Sequence, residues 1–421
     1  LGKTKRQIIF MLPNTYELDI GCIASELVID RKHIDFNVEL KLYQVRNIEI
    51  KNIPGDLLQT IPIAFKNCKI LNCEFAYTDS CACLFFENCS FACEVNIHYS
   101  LMDFIKFLNC IFYKQFTICS IVEQKVDFSN SHFKDYVDFR ACEFKKNASF
   151  YGATFDKTPN FSQVIFKDSV NLVNIKANFD FENLNTAIKN IDKSTDETAN
   201  DFRDFFRTFK SVLIKDNNLL EASSFHKYEL YCKELELKNK KGKTFKDAID
   251  KYQLFFYRKL CDHHTDILQS LNSLILAIGI FGALNLVIII GFNRYLGYKP
   301  ILEHLYFSLD FYNHHINSTI QDNYLFMIVV NLIMLFAYLI LVGFALCAKY
   351  IRKFFITISY VITLFIMITS PKILIPAMGI FTDKRVMLDP LSVLGGIYTI
   401  VFGFVVYSFV KTIRKNSIVP S

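Results

Sequence analysis

The sequence lacks the local signatures of common enzymes. It contains no P-loop, no G-x-G-x-x-G, no nucleophile elbow and no H-E-x-x-H. Catalysis needs convergent polar groups, and no such set stands out. The expectation is a non-enzymatic protein, with no catalytic residues, no cofactor and no metal. Zinc sites favour paired C-x2-C knuckles. The chain has 13 cysteines but not one such pair. Trp is absent altogether, which is compatible with biased coding composition and carries no functional reading. Ionisable residues are missing from four long apolar runs in the last third, which removes the usual equipment of proton relays and voltage sensors.

What is present is a period. In blocks of eleven from Val126 the chain reads VDFSNSHFKDY, VDFRACEFKKN, ASFYGATFDKT, PNFSQVIFKDS, VNLVNIKANFD. Phe128, Phe139, Phe150 and Phe161 fill one slot, and Phe133, Phe144, Phe155 and Phe166 follow five residues later. Ser131, Cys142, Ala153 and Val164 stand two before the second Phe. Spacing that alternates five and six suits neither a helix nor a plain strand. It suits a chain that turns a corner about every five residues, with one large and one small side chain pointing inward. A single repeat cannot bury its apolar face, but stacked neighbours can. Looser copies precede the regular ones, among them Phe65-Lys-Asn-Cys-Lys-Ile70, Phe86-Glu-Asn-Cys-Ser-Phe91 and Phe107-Leu-Asn-Cys-Ile-Phe112.

On these residues the segment from about Asp19 to Asn178 resembles the pentapeptide-repeat family. That resemblance implies a right-handed, four-sided β-helix. The sequence departs from strict fives, since every second step is six, and the small slot is often Cys. Cys68, Cys73, Cys89, Cys110, Cys119 and Cys142 all occupy it, so the reading is structural packing, with Cys acting as a small buried hydrophobe. Many free thiols point to a reducing compartment. Asp127, Asp138, Glu143 and Asp156 read as a polar outward face.

Four domains are expected. Residues 1–64 form irregular first coils or a cap, and residues 1–13 hold too short an apolar run for a signal peptide. Residues 65–178 form the β-helix. Residues 179–262 form a helical linker, with 183–198 mostly loop. There Phe202, Phe205, Phe206, Phe209 and Leu213, then Ala222, Phe225, Tyr228, Cys232 and Leu235, mark two helices. The pair resembles a single tetratricopeptide-like hairpin. A third helix, about 245–262, mixes aromatics with Lys251, Arg258 and Lys259, as at a lipid headgroup interface. Residues 263–421 form an α-helical membrane bundle with spans at 271–292, 325–348, 354–369 and 391–410, the third near the lower limit of length.

Lys and Arg concentrate before the first span, between spans two and three, and after the fourth. This predicts a multi-pass protein of the cell (inner) membrane with both termini cytoplasmic. Asn285 and Asn331 are the amides of interest within spans, either bonded to each other across helices or lining a pore. The loop 371–382 has the place of a re-entrant segment but no TVGYG-like filter. Phe307, Leu309 and Phe311 suggest that the loop after the first span lies on the membrane. Glu303, His304, Asp310, His314 and His315 read as polar surface. The functional expectation is a membrane-anchored scaffold, whose partners are the lipid bilayer, an unknown cytoplasmic protein and, conceivably, further copies of itself. The alternative is an ion channel or transporter gated by the β-helix. The resemblance also covers DNA mimics that bind topoisomerases, but mimicry needs a strongly acidic rod. Val126 to Lys176 holds six Asp or Glu against seven Lys or Arg, so no nucleic-acid partner is expected.

Overall fold

The computed structural model describes residues 13–39, 41–75, 78–191, 193–215, 217–348, 350–375 and 388–416. The chain forms two compact units, residues 1–248 and 249–421. The run of short apolar repeats becomes, in the first unit, a β-solenoid of parallel rungs. One ladder runs through β3 (Glu49–Ile50), β5 (Lys69–Ile70), β7 (Ser90–Phe91), β10 (Ile111–Phe112), β14 (His132–Phe133), β18 (Thr154–Phe155) and β21 (Lys176–Ala177). Its register shows the coil length. Glu49 pairs with Lys69, 20 residues on, Ser90 with Ile111, 21 on, and His132 with Thr154, 22 on. An eleven-residue block is therefore half a coil, and two steps of five plus two of six close one turn.

The five-residue step is a turn with a left-handed corner. Ser131, Cys142 and Ala153 donate their backbone N–H to the carbonyls of Phe128, Phe139 and Phe150 at 3.2, 3.2 and 3.0 Å. The residue before each, Asn130, Ala141 and Gly152, has φ of 55°, 60° and 66°, as a type II turn requires. Asn47, Asn67, Asn88 and Asn109 also have positive φ, a conformation Asn tolerates better than most residues. Their amides form a ladder, with Asn67, Asn88 and Asn109 each donating to the Asn one coil earlier at 3.0 to 3.1 Å. Gly152 interrupts the series, since a Cβ there would lie 2.3 Å from Asn130 Oδ1.

The second position of each block caps the entry to the same corner. Asp138, Asn160 and Asn171 side chains accept the N–H two residues on at 2.8, 3.0 and 3.1 Å, and Asp127 does so at 3.2 Å. This corrects the outward-face reading for Asp127 and Asp138, which are only 8% exposed. Their side-chain oxygens replace solvent for a backbone N–H that no strand partner reaches.

The Phe slots stack into columns along the axis. Phe65, Phe86, Phe107, Phe128 and Phe150 form one, with successive ring centroids 4.9, 5.0, 5.6 and 5.4 Å apart. Phe91, Phe112, Phe133 and Phe155 form another at 4.8, 4.7 and 4.9 Å. Phe139 stacks on Phe161 at 4.6 Å, and Phe144 tilts against Phe166 at 5.5 Å. All of these rings are buried except Phe166, which is partly covered. Full burial of each is worth about 1.5–3 kcal/mol. The small slot is more than a spacer. Cys89, Cys110 and Cys142 donate their thiols to carbonyls 24 residues earlier, at 3.4, 3.6 and 3.1 Å, and Ser131 does the same with its hydroxyl at 2.7 Å. Cys and Ser therefore tie each coil to the one before it. Burial pushes the Cys142 thiol up to about 12.

Both ends of the stack are covered. Helix α1 (Pro13–Leu27) sets Ile23, Ala24 and Leu27 into the core, and Tyr43 donates to Asp19 at 2.8 Å. The helix replaces the coils or strands expected from residue 16 to Leu27, whereas β1 (Ile34–Asn37) pairs antiparallel with β2 (Leu42–Arg46), and β2 and β3 begin the coils as expected. At the other end come α3 (Phe181–Lys189), α4 (Thr195–Lys215) and α5 (Leu219–Asn239). Helix α3 corrects the loop expected there; Asp180 caps it by accepting from Asn183 N at 2.8 Å. Phe205 of α4 stacks on Phe161 at 4.9 Å, and Phe209 tilts against Phe166 at 5.7 Å. The helix thus supplies the last rungs of two columns.

The second unit begins within α6 (Phe245–Cys261) and continues through α7 (Ile267–Tyr295), α8 (Leu305–Asp322), α9 (Tyr324–Cys347), α10 (Arg352–Thr369) and α11 (Pro390–Asn416). Four of them, α7, α9, α10 and α11, are long and apolar enough to cross a membrane. Helix α10 is longer than the sequence run suggested, because Arg352 and Lys353 belong to it. Gly279 lets α7 and α10 touch, since a Cβ there would lie 2.4 Å from Ser359 Cβ. Helix α8 replaces the surface loop; Leu309 points into its core, whereas Phe307 is exposed. The expected re-entrant stretch falls largely outside the described residues.

Two outcomes follow for the first unit. At the left-handed corner, Asn88→Gly should cost under about 1 kcal/mol, whereas Asn88→Val should cost about 1–3 kcal/mol. Thermal melting of the full chain reads the order, and an equal loss for both would contradict the corner's role. Glu229 on α5 is half-buried, which opposes its charge, but His226 at 3.2 Å and Lys210 at 2.6 Å hold it down at about 2 against an ordinary 4.5. A lowered carboxylate stabilises above its ordinary range and loses that contribution as pH falls. Stability of the helical pair should therefore drop between about pH 4.5 and 2, and Glu229→Gln should flatten that limb.

Candidate functional site

A broad concavity of the first unit lies along the face carried by β8 (Val95–Ile97), β11 (Phe116–Ile118) and β15 (Val137–Asp138). Helix α3, the linker after it and the start of α4 form its other wall. Two adjoining cavities of about 660 and 480 Å³ share Asp138, Arg140 and Ile191. The solenoid places these polar residues because its outward positions repeat once per coil, so one face collects side chains from three successive coils.

The charges there are paired. Arg140 Nη2 lies 3.7 Å from Asp138 Oδ2, and burial raises the Asp138 carboxyl above its ordinary value despite that neighbour. Lys157 bonds Asp135 and holds it low. Lys193 reaches Asp201 at 2.8 Å. Burial pushes the Tyr136 hydroxyl up to about 12, leaving it a neutral donor. Amides from Gln115, Asn183 and Asn190 complete the lining. Balanced charges and amides orient a polar partner without selecting strongly for one sign. The sequence reading missed this groove, because its far wall comes from the segment taken as loop.

The repeat-core residues chosen from the sequence, Phe128 through Phe166 with Cys142 and Ala153, come together as the solenoid interior. Asn285 and Asn331 do not meet. Asn285 Nδ2 donates to Phe281 O of its own helix at 2.9 Å, and Asn331 Nδ2 donates to Leu388 O at 2.7 Å, just before α11. The reading of two amides bonded to each other is therefore corrected. On α8, His315 stacks on Phe311 at 4.2 Å with its Nδ1 3.0 Å from that residue's carbonyl.

Asp389 was not singled out from the sequence. It is 1% exposed, and accepts from Tyr312 Oη of α8 at 2.7 Å, Leu391 N at 3.1 Å and Ser392 Oγ at 3.1 Å. Its signal was legible, since Asp directly before Pro390 is a helix-start pattern. At the opposite ends of these helices, the α6–α7 joint holds Asp262, His263 and His264 all at positive φ, 49°, 55° and 66°. The last carbonyls of α6 are bound by side chains. Gln269 donates to Arg258 O and Lys259 O, Ser273 to Leu260 O, and Arg352 to Lys259 O, at 2.8 to 3.2 Å.

Removing Asp389 leaves the Tyr312 hydroxyl and an N-terminal N–H of α11 without their acceptor. Asp389→Ala should cost about 2–3 kcal/mol and Tyr312→Phe about 1 kcal/mol. In detergent melting, the double variant should lose clearly less than the sum. Strict additivity would mean that the contact carries no energy.

Residues 126–175 match a family model for pentapeptide repeats, in nine copies. No curated protein and no solved structure matches the chain. The protein thus carries a pentapeptide-repeat segment within a β-solenoid, followed by helices of which four are apolar and long enough to span a membrane.

Proposed function

We propose that this protein is a non-enzymatic membrane-anchored scaffold. Its solenoid faces the cytoplasm and presents the polar groove to a protein partner, and its spans hold it in the cell (inner) membrane with both termini cytoplasmic. The observation that carries the reading over a gated channel is the state of the two amides within the spans. Each spends its Nδ2 on a protein carbonyl, which supports a packing role over a water-filled path.

Orientation draws support from the second unit itself. Arg258 and Lys259 at the end of α6 and Arg352 at the start of α10 lie together, and Lys415 at the end of α11 reaches His263 O at 3.5 Å. A cluster of cations at one end of the spans is the pattern of a cytoplasmic side. The exposed aromatics Phe245 and Tyr252 of α6, beside Lys246 and Lys251, suit an anionic headgroup layer.

The deciding experiment is planar-bilayer conductance of the purified full-length protein, with and without residues 1–196. A scaffold conducts nothing in either form. Reproducible single-channel steps altered by the deletion would replace this reading with the gated channel, and Asn285 and Asn331 would be the next targets.

A further inference from the structure

Most of the solenoid's inward thiols are locked. Cys68, Cys89, Cys110 and Cys142 are 0–2% exposed, and each donates to a backbone carbonyl of the preceding coil. Cys73 and Cys93 differ. They stand one above the other on successive coils, 20 residues apart, with sulfurs 3.5 Å from each other. Each is 8% exposed, so the pair sits at the rim of the core. Ile53 bridges Cys73 from the coil below, which places Cys73 in a parallel rung. Rungs of a parallel sheet lie about 4.8 Å apart, within the roughly 4.4–6.8 Å between α-carbons that a disulfide accepts. Rotation of the side chains alone brings the sulfurs together.

The two thiols are also unequal. The contact with Cys73 and the nearby positive Lys114 hold the Cys93 thiol below its ordinary value. Cys73 bears the opposite influences, burial and the negative Glu74 among them. A thiolate is the reactive form.

We propose that Cys73 and Cys93 are a redox modification site, a dithiol that a low-molecular-weight disulfide oxidises to a covalent staple between adjacent coils. Cys93, as thiolate, attacks one sulfur of the disulfide RSSR. The S–S bond breaks, and one RS⁻ leaves as Cys93 takes the other half in a mixed disulfide. Cys73 then loses its proton and attacks Cys93 Sγ, forming the Cys73–Cys93 bond and releasing the second RS⁻. Two protein thiols are oxidised, one RSSR is reduced, and the two thiol protons end on two RSH. The link closes a short loop that spans one coil, so it locks the register of the two coils against each other.

The test uses the full-length protein in detergent, with exposed Cys22, Cys119 and Cys347 replaced by Ser to suppress links between molecules. It is treated with oxidised glutathione, quenched and cut after glutamate without reduction. Glu74 and Glu87 separate the two cysteines into different peptides, which also carry Cys68 and Cys89, so the staple appears as a joined pair that reduction splits and whose fragmentation locates the bond. The expected result is a Cys73–Cys93 link in the folded protein at least tenfold above any link involving Cys68, Cys89 or Cys110. Cys73→Ala should trap glutathione on Cys93, whereas Cys93→Ala should leave Cys73 unmodified. Should either variant fail to fold, the wild-type mapping stands by itself. Absence of the link in folded protein, or its appearance only after denaturation, would overturn the proposal. Equal trapping on Cys73 and Cys93 would overturn the assignment of Cys93 as the attacking thiol.

Discussion

Everything in the first unit depends on one constraint, the vertical register of successive coils. A parallel rung recurs about every 4.8 Å, close to the separation at which two phenyl rings stack. A Phe that sits above a Phe therefore satisfies the backbone ladder and the aromatic column together. The same spacing lets an Asn amide reach the Asn below it, and a Cys or Ser reach the carbonyl beneath. Offsets of 20, 21 and 22 residues all occur along the stack. Coil length is thus free to drift by a residue as long as the corner Asn, the Phe and the small donor stay aligned. The tolerance lies in the six-residue step, which takes the extra residue while the turn from Phe to the small slot keeps its geometry.

A stack of this kind has two open ends, and each exposes an aromatic face and unpaired rungs. Repeat proteins need caps for that reason. Here the caps are helices. At the far end Phe205 and Phe209 extend two aromatic columns from an α-helix, although a helix rises by a different increment per residue. They manage it because four residues make about one helical turn, so both rings leave the same face. The cap then commits α3 and the linker to the solenoid flank, and the polar groove forms as a by-product of how the end is closed.

The sequence exposed the solenoid because its period is carried by large side chains whose positions the core dictates. Phe128 through Phe166 and most Cys slots could be assigned from spacing alone, but Cys119, read into the same inward slot, is exposed. What escaped was carried by weaker signals. Helix α3 has only Leu184 and Ile188 fully buried, so its apolar pattern was too short to separate from a polar loop. Helix α1 lies in a stretch whose apolar residues also fit short strands. Asp127 and Asp138 looked like surface charge because a side chain that caps a backbone N–H has no hydrophobic signature. The four long apolar helices were legible because length and the lack of charge define them. The destination of Asn285 and Asn331 was not, since an amide's partner depends on helix rotation and on loops such as the one ending at Leu388.

In the second unit the placement of polar groups says what the helices are built to do. Guanidinium, ammonium and carboxamide groups of Arg352, Lys415 and Gln269 gather where α6 meets α7, each spent on a carbonyl that the helix end and the left-handed joint leave open. Asp389, Tyr312 and Asn331 gather around the start of α11 and serve the same purpose there. Between these layers the contacts are apolar or close-packed, as with Gly279 against Ser359 and the Phe281 and Tyr398 rings stacked at 3.8 Å. Asn285, the amide between them, is folded back on its own helix. Polar ties at both ends with largely apolar contacts between them hold the bundle's shape, and the side chains bound to the last carbonyls of α6 brace the joint at Asp262–His264.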